Sequence, residues 1–166
     1  MSTANPKIAA IRQQIKQSYS ELNALLDGPV GVLYAEKLYQ TPTENEWTVM
    51  ENLAHIVEFM PYWSDEVAKL VAQPGRNFGR TMDDEGRQAA LREHGHDSLV
   101  QLRAALPGSY AHLDEVFSKL NDSDLALTGQ HSRYGEKPLE WFIVEFIVKH
   151  LHDHVVQIRE CLALVQ

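Results

Sequence analysis

The sequence of 166 residues contains a single cysteine, fewer basic than acidic residues and no long apolar run. Because Cys161 is the only cysteine, an internal disulfide and a thiolate metal cluster are both excluded. We predict a position in the core for Cys161 rather than a redox role. A single cysteine also predicts a cytoplasmic protein. A formal net charge of −8 argues against nucleic acid as a partner, because neutralising phosphates requires a basic surface. No apolar run approaches the roughly 18 residues that cross a bilayer, and the first residues do not resemble a secretion signal. We therefore expect a partner that is neither nucleic acid nor membrane.

Common catalytic motifs are also missing from the sequence. There is no nucleophile elbow, phosphate loop or glycine-rich dinucleotide turn. Ferritin-like carboxylate chemistry would require Glu-x-x-His pairs, yet Ile147 and Leu151 stand three residues before His150 and His154. The remaining candidates for chemistry are the eight histidines.

Apolar residues recur every three or four positions along most of the chain, which predicts helices and no strand of any length. A short helix is predicted within residues 29–46, and loops over 76–84 and 129–138. The long helices are predicted from residue 5 to 27, from 43–46 to about 72 with a bend at Pro61, from 83 or 84 to 120 with an interruption at Pro107 and Gly108, and from 138 to the C-terminus. This pattern predicts an all-α, antiparallel four-helix bundle that forms a single domain over residues 1–166.

The last predicted helix carries three histidines. His150 and His154 are four residues apart and stack on the flank of an apolar face, whereas His152 points away from it. Two imidazoles at this spacing can chelate one divalent metal ion, or they can be core or interface histidines that only form hydrogen bonds. A metal site would need a third ligand from another helix. The candidates for it are His55, His94, His96, His112 and His131.

The residues alone leave the third ligand open. Helical periodicity places His55 about 140° from the middle of the apolar stripe of its helix, which predicts a surface position. His94 and His96 are two residues apart and cannot share a helical face, so we expect both in solvent. His131 falls in a predicted loop, from which it could reach a site.

Two segments together resemble the DinB/YfiT-like metalloenzyme family. The run WTVMENLAHI, from Trp47 to Ile56, resembles the start of that family's second helix, where a tryptophan precedes a histidine by this interval. The run GQHSRYG, from residue 129 to 135, followed by His150-x-x-x-His154, resembles the family's C-terminal half. Neither motif is specific alone, but they occur in the family's order and on the corresponding helices. The resemblance covers roughly residues 5–165.

The resemblance implies a bundle in which three histidines hold a metal: His55 from the second helix with His150 and His154 from the fourth. It thereby overrides the surface position that periodicity predicts for His55. Three imidazoles suit several divalent transition metals, among them zinc, nickel and iron. Relatives transfer low-molecular-weight thiols such as bacillithiol, or use mycothiol to isomerise maleylpyruvate. The resemblance thus implies a small-molecule thiol or electrophile as the partner.

Other polar residues are candidates to support this site. Tyr62 and His131 are candidates to line its cleft, and no residue is assigned as catalytic. Candidates to orient the ligands by hydrogen bonding, each of which could instead belong to a solvated helix face, are Glu51, Glu58, Asp153 and Gln157.

The sequence supports three hypotheses. The first is a metal-dependent enzyme, a thiol S-transferase or a hydrolase-like relative. The second is a metal-binding or metal-free bundle with a structural or stress-related binding role. In the third, the histidines serve only packing and a dimer interface. We expect a homodimer.

Overall fold

The computed structural model describes residues 4–81 and 84–165, with only the backbone of Gly86 and Ala90. No helix in these ranges is both long and apolar enough to cross a membrane. The helices are α1 (Pro6–Asp27), α2 (Pro29–Val32), α3 (Ala35–Leu38), α4 (Val49–Ala72), α5 (Glu85–His94), α6 (Leu99–Ser118), α7 (Leu139–Ile143) and α8 (His150–Val165). A π-helical segment (Val144–Lys149) joins α7 to α8, and a 3-10 helix (Asp122–Ala126) and strands β1 (Thr128–His131) and β2 (Gly135–Pro138) precede them.

Four long helical segments share one apolar core: α1, α4, α6 and the continuous α7–α8 segment. This confirms the predicted all-α four-helix bundle. α1 and α6 run antiparallel, because Asp27 at the end of α1 pairs with Arg103 near the start of α6. Arg12 near the start of α1 likewise pairs with Asp114 near the end of α6. α4 and the α7–α8 segment also run antiparallel, because Asn52 and Trp63 contact His154 and Phe146 in the reverse order.

The other two neighbouring pairs run parallel, so the predicted antiparallel arrangement holds for only two of the four neighbouring pairs. Ser109 and His112 of α6 contact Val57 and Asp65 of α4 in the same order along both helices. If two neighbouring helices run parallel, the chain that connects them must return along the whole length of the bundle. α4 has 24 residues, so that length is about 36 Å at 1.5 Å per residue. The segment from residue 73 to 98, which includes α5, provides that connection. α1 and the α7–α8 segment show the same order in the pairs Lys7–Glu140 and Glu21–Arg159.

The third predicted helix is interrupted at a different place from the one expected. α5 ends at His94, and Ser98 forms a capping box with Gln101 that starts α6. α6 then continues through Pro107, contrary to the prediction. Leu106 and Leu113, on either side of the proline, are both buried in the core, and this packing offsets the cost of a proline inside a helix. The predicted start at Asp83 lies outside the described residues.

The predicted loop over 129–138 is a β-hairpin, so the expectation of no strand was wrong. His131 pairs with Gly135 at its turn. Gln130 also exchanges backbone hydrogen bonds with Arg76 and Phe78 at 3.0 and 2.8 Å. Four-residue strands carry too few positions for alternation to be visible in the sequence, and part of the pairing is with a segment some fifty residues away.

α4 begins at Val49, later than predicted, because Thr48 and Glu51 form a capping box. The carboxylate of Glu51 accepts a hydrogen bond from the Thr48 amide at 2.8 Å, so its observed role is at the helix terminus. Pro61 lies inside α4 and cannot donate to the Val57 carbonyl four residues earlier. The hydroxyl of Ser109 donates to that carbonyl at 2.8 Å instead.

Candidate metal centre

Three histidines from two helices converge at the α4–α8 interface. Nε2 of His150 lies 2.9 Å from Nε2 of His55 and 3.0 Å from Nε2 of His154. One ring nitrogen from each histidine lies within 4.8 Å of the others, a group that could hold a metal ion. The structure therefore brings together the three residues that the family resemblance singled out.

His55 is 2% exposed, so the surface position that periodicity predicted was wrong. The predicted stripe covered only one face of α4. Ile56, Phe59 and Trp63 are buried as well, on the side that carries His55. α4 packs against both α6 and α8, and a helix with two packed faces does not show the single apolar stripe of a surface helix.

Asn52 fixes the protonation of His154. Its side-chain amide donates to the Thr48 carbonyl at 3.0 Å, which leaves its oxygen Oδ1 to accept. That oxygen lies 2.7 Å from Nδ1 of His154, so Nδ1 carries the proton and Nε2 presents a lone pair to the centre. Asn52 is buried and was not singled out from the sequence; its place one helical turn before His55 was the available signal.

The outer nitrogen of His55 has no such partner. Its Nδ1 is buried without a hydrogen bond and lies 3.7 Å from Oε2 of Glu58, which is beyond hydrogen-bonding distance. Glu58 instead forms an ion pair with Arg80 at 2.5 Å. Glu58 therefore lies beside the site, and its carboxylate is held by the arginine.

Aromatic rings pack on both sides of the three imidazoles. Trp47 stacks on His154, with ring centroids 5.5 Å apart, and meets His55 edge-on at 5.2 Å. Phe59 lies 4.6 Å from His150 and 5.3 Å from His55. These contacts restrict the orientations of the rings, and they explain why a tryptophan eight residues before His55 belongs to the site.

All three histidines are neutral at neutral pH. Burial, followed by the charges of the neighbouring groups, lowers the pKa of His55 to about 2, that of His154 to about 3 and that of His150 to about 4. Neutral imidazole is the form that binds metals, so the site needs no deprotonation step before a cation enters.

Residues 14–158 of the chain match the family model of the DinB superfamily. The chain belongs to the DinB superfamily. No curated protein sequence matches it. YfiT from Bacillus subtilis, described as a probable metal-dependent hydrolase with an unusual four-helix bundle topology, superposes with a TM-score of 0.76 at 16% identity, over 96% of this chain and 88% of YfiT.

Two further structures are similar to this DinB-superfamily chain. The four-helix bundle protein TT2238 gives a TM-score of 0.64 at 18% identity, over 93% of this chain and 99% of that one. A protein from Streptococcus pneumoniae gives 0.65 at 15% identity, over 96% and 91%. At these identities the likeness shows a shared fold.

The π-helical segment stands directly before His150 in this DinB-superfamily chain. A π turn inserts an extra residue into a helix and rotates the residues after it relative to those before it, and such turns are frequent at functional sites. Ile143 before the segment, Ile147 within it, and Leu151 and Val155 after it are all buried. The segment thus sets the rotation at which α8 presents His150 and His154.

Three other candidate histidines, two on helices and His96 in the turn after α5, are not among the three that converge. His94 pairs with Asp97, His112 pairs with Asp65, and His96 is exposed. Asp153 and Gln157 are exposed on α8, and Cys161 is buried in the core.

Two clefts flank the three histidines. The first, which we call the basic cleft, has a volume of about 590 Å³ and is lined in part by His55 and His150. Its other lining residues are Trp63, Arg80, Thr81, Arg87, His131, Ser132, Arg133, Tyr134 and Phe146. The second has a volume of about 450 Å³ and reaches His154 from the side of Trp47, Gln157 and Cys161. His131 therefore lines a cleft, as expected. Tyr62 is not among the residues that line either cleft, and the Arg80 guanidinium lies 3.8 Å from the centre of its ring.

Proposed function

We propose that His55, His150 and His154 hold one divalent transition metal and that the protein is a metal-dependent enzyme. The observation that carries this proposal is the convergence of three neutral Nε2 atoms on one point. Membership of the DinB superfamily and the likeness to YfiT, described as a probable metal-dependent hydrolase, support it.

The three Nε2 atoms are better suited to coordinate a shared cation than to form hydrogen bonds with one another. Nε2 of His154 carries no proton, because Asn52 holds the proton on Nδ1. If His150 carries its proton on Nε2, that proton can be donated to His154 or to His55, but not fully to both. At least one of the three Nε2 atoms at this buried point then lacks a partner, and unpaired buried polar atoms are unfavourable. A bound cation would satisfy all three nitrogens.

Three protein ligands leave coordination positions open, and a divalent ion held there would lower the pKa of a thiol or water that binds it. The leading reaction we propose is transfer of a low-molecular-weight thiol to an electrophilic small molecule. Hydrolysis is the second candidate, favoured by the description of YfiT. In either reaction Asn52, Trp47 and Phe59 hold the imidazoles in place, while the basic cleft receives the substrate.

Metal content tests the site directly. We would purify wild-type protein, His150→Ala and the control His152→Ala without a histidine tag, and measure bound metals by mass spectrometry. His152 is an exposed histidine on the same helix. We expect about one equivalent of a transition metal, native or after zinc or nickel is added, in wild type and the control, and background in His150→Ala. Absence of metal from all three proteins, or an equivalent retained by His150→Ala, would contradict the proposed site.

Activity distinguishes the enzyme from a non-catalytic metal-binding bundle. The metal-loaded protein would be assayed for conjugation of a small thiol to an activated aryl halide and for ester hydrolysis, beside His150→Ala. Turnover that depends on His150 supports an enzyme. A full equivalent of metal with no turnover in either assay would favour the binding role.

Three expectations from the sequence belong to this proposal. We propose a single domain over residues 1–166, a cytoplasmic location and a homodimer that does not bind nucleic acid. Light scattering coupled to gel filtration tests the dimer, and a mass of one chain would exclude it under those conditions.

A further inference from the structure

The basic cleft has a charge opposite to that of the whole chain. The protein has 23 acidic and 15 basic residues, yet the described residues that line this cleft include Arg80, Arg87 and Arg133 and no aspartate or glutamate. Burial, and then the positive charge of Arg80, lower the pKa of Arg87. Positive groups gathered against the net charge are typical of a site for an anion.

Arg80 and Arg133 differ in what already neutralises them. Arg80 is paired with Glu58, but its Nε is buried without a hydrogen-bond partner. Arg133 is exposed, and no carboxylate among the described residues lies within ion-pairing distance of it. Its guanidinium lies 5.4 Å from the centre of the Tyr134 ring. The cleft therefore retains an uncompensated positive charge at Arg133 and an unused donor on Arg80.

His131 adds a second buried donor. Its Nδ1 accepts hydrogen bonds from the backbone amides of Arg133 and Tyr134 at 3.1 and 3.4 Å, in the turn between β1 and β2. Because Nδ1 accepts, the proton of the neutral ring is on Nε2. Nε2 is buried and has no partner, and His131 is only 7% exposed. Two buried donors without acceptors, both on residues that line one cleft, point to a ligand that brings the acceptor atoms.

Three further residues of the wall, Trp63, Tyr134 and Phe146, are aromatic. Trp63 stacks on Phe146 with ring centroids 4.5 Å apart, and Phe146 stacks on His131 at 5.2 Å. Tyr134 lies on the same side, 6.1 Å from Phe146. Flat aromatic walls favour a flat apolar or aromatic ligand body.

We infer that the basic cleft binds a small carboxylate with an apolar or aromatic body, held by Arg133, Arg80 and His131. His55 and His150 line the same cleft, so we place the body of the ligand towards the three histidines. The carboxylate thereby orients the ligand as the substrate of the proposed metal-dependent reaction. Its role as a substrate rests on that proposed function, whereas binding of the anion does not require the metal.

The test uses full-length protein freed of metal by a chelator, so it is independent of whether the histidines bind metal. Calorimetric titration would compare 3-phenylpropionate with its neutral counterpart 3-phenylpropanamide. We expect the carboxylate to bind about tenfold more tightly than the amide, or better, the factor that corresponds to one charged hydrogen bond. Arg133→Gln should bring the two affinities close together, and the exposed Arg92→Gln, outside the cleft, should preserve the difference.

Arg80→Gln provides a second variant, checked for folding by circular dichroism because it leaves Glu58 without its partner. It should weaken binding of the carboxylate more than binding of the amide. Equal affinity for acid and amide, unchanged selectivity in Arg133→Gln, or no saturation at about 10 mM of the carboxylate would overturn the inference. Loss of metal binding alone would overturn the proposed function and leave the anion site standing.

Discussion

The side-chain oxygen of Asn52 lies 2.7 Å from Nδ1 of His154, across the interface between α4 and α8. The same amide is anchored to the Thr48 carbonyl, so the N-terminal turn of α4 dictates which nitrogen of His154 faces the centre. Partners of this kind commonly change metal affinity by 10- to 100-fold.

Replacing Asn52 by leucine should therefore weaken metal binding without removing a ligand. We expect a loss of about 10- to 100-fold in zinc affinity, since either ring nitrogen of His154 can then carry the proton. Competition for zinc with a chromogenic chelator measures this affinity. Asn45→Ala, an exposed asparagine near the second cleft, serves as the control. Unchanged affinity in Asn52→Leu would show that this hydrogen bond does not prepare the site.

Acid should destabilise the metal-free protein through the three histidines. Their pKa values are lowered to about 2, 3 and 4 in the folded state, whereas the unfolded chain titrates near 6.5. Below about pH 6.5 the unfolded state binds more protons, so the free energy of unfolding falls as the pH drops towards 4. The slope is at most about 1.4 kcal/mol per pH unit for each histidine.

Urea unfolding at several pH values checks this prediction. His150→Gln should give a shallower fall between pH 6.5 and 4 than wild type, while His152→Gln, on the exposed face of α8, should follow wild type. Equal slopes in wild type and His150→Gln would mean that this imidazole is not held neutral by the fold.

Ser109 and Pro61 should be energetically coupled. The Ser109 hydroxyl donates to the Val57 carbonyl that Pro61 leaves without its helical partner. Ser109→Ala should lower the free energy of unfolding by about 1 kcal/mol, and by less in a Pro61→Ala background, where a backbone amide can reach Val57. Ser118→Ala, which removes an exposed hydroxyl bond on the same helix, is the control. Strictly additive effects would show that the two residues act independently.

Gly79 and Gly75 allow backbone strain to be separated from steric conflict. Both have positive φ, +78° and +85°. A Cβ on Gly79 would lie 2.5 Å from Cζ3 of Trp63, whereas one on Gly75 would meet nothing within 4 Å. Both alanine variants should lose roughly 1–2 kcal/mol from the left-handed backbone. Gly79→Ala should lose about 1–3 kcal/mol more from overpacking against the wall of the basic cleft. Thermal denaturation compares them, and equal losses would contradict the close approach.

The main helices and the histidine pair were predictable because they are encoded locally. The 3.6-residue period that defines a helix is visible in any window, and the i, i+4 spacing of His150 and His154 is one turn of that period. His55 required the family resemblance, because α4 has two packed faces. Metal binding by the three residues stays a prediction.

Local patterns along the chain specify that it forms helices, approximately where they lie, and which histidines could share a turn. Long-range packing specified that α4 and α6 run parallel, that Asn52 reaches His154 and that the strand of His131 pairs with residues 76–78. It also decided that arginines 80 and 133 line one cleft. These relationships join residues that lie some fifty to one hundred positions apart. They depend on how packed helices are rotated and connected, which a local repeat of apolar residues does not specify.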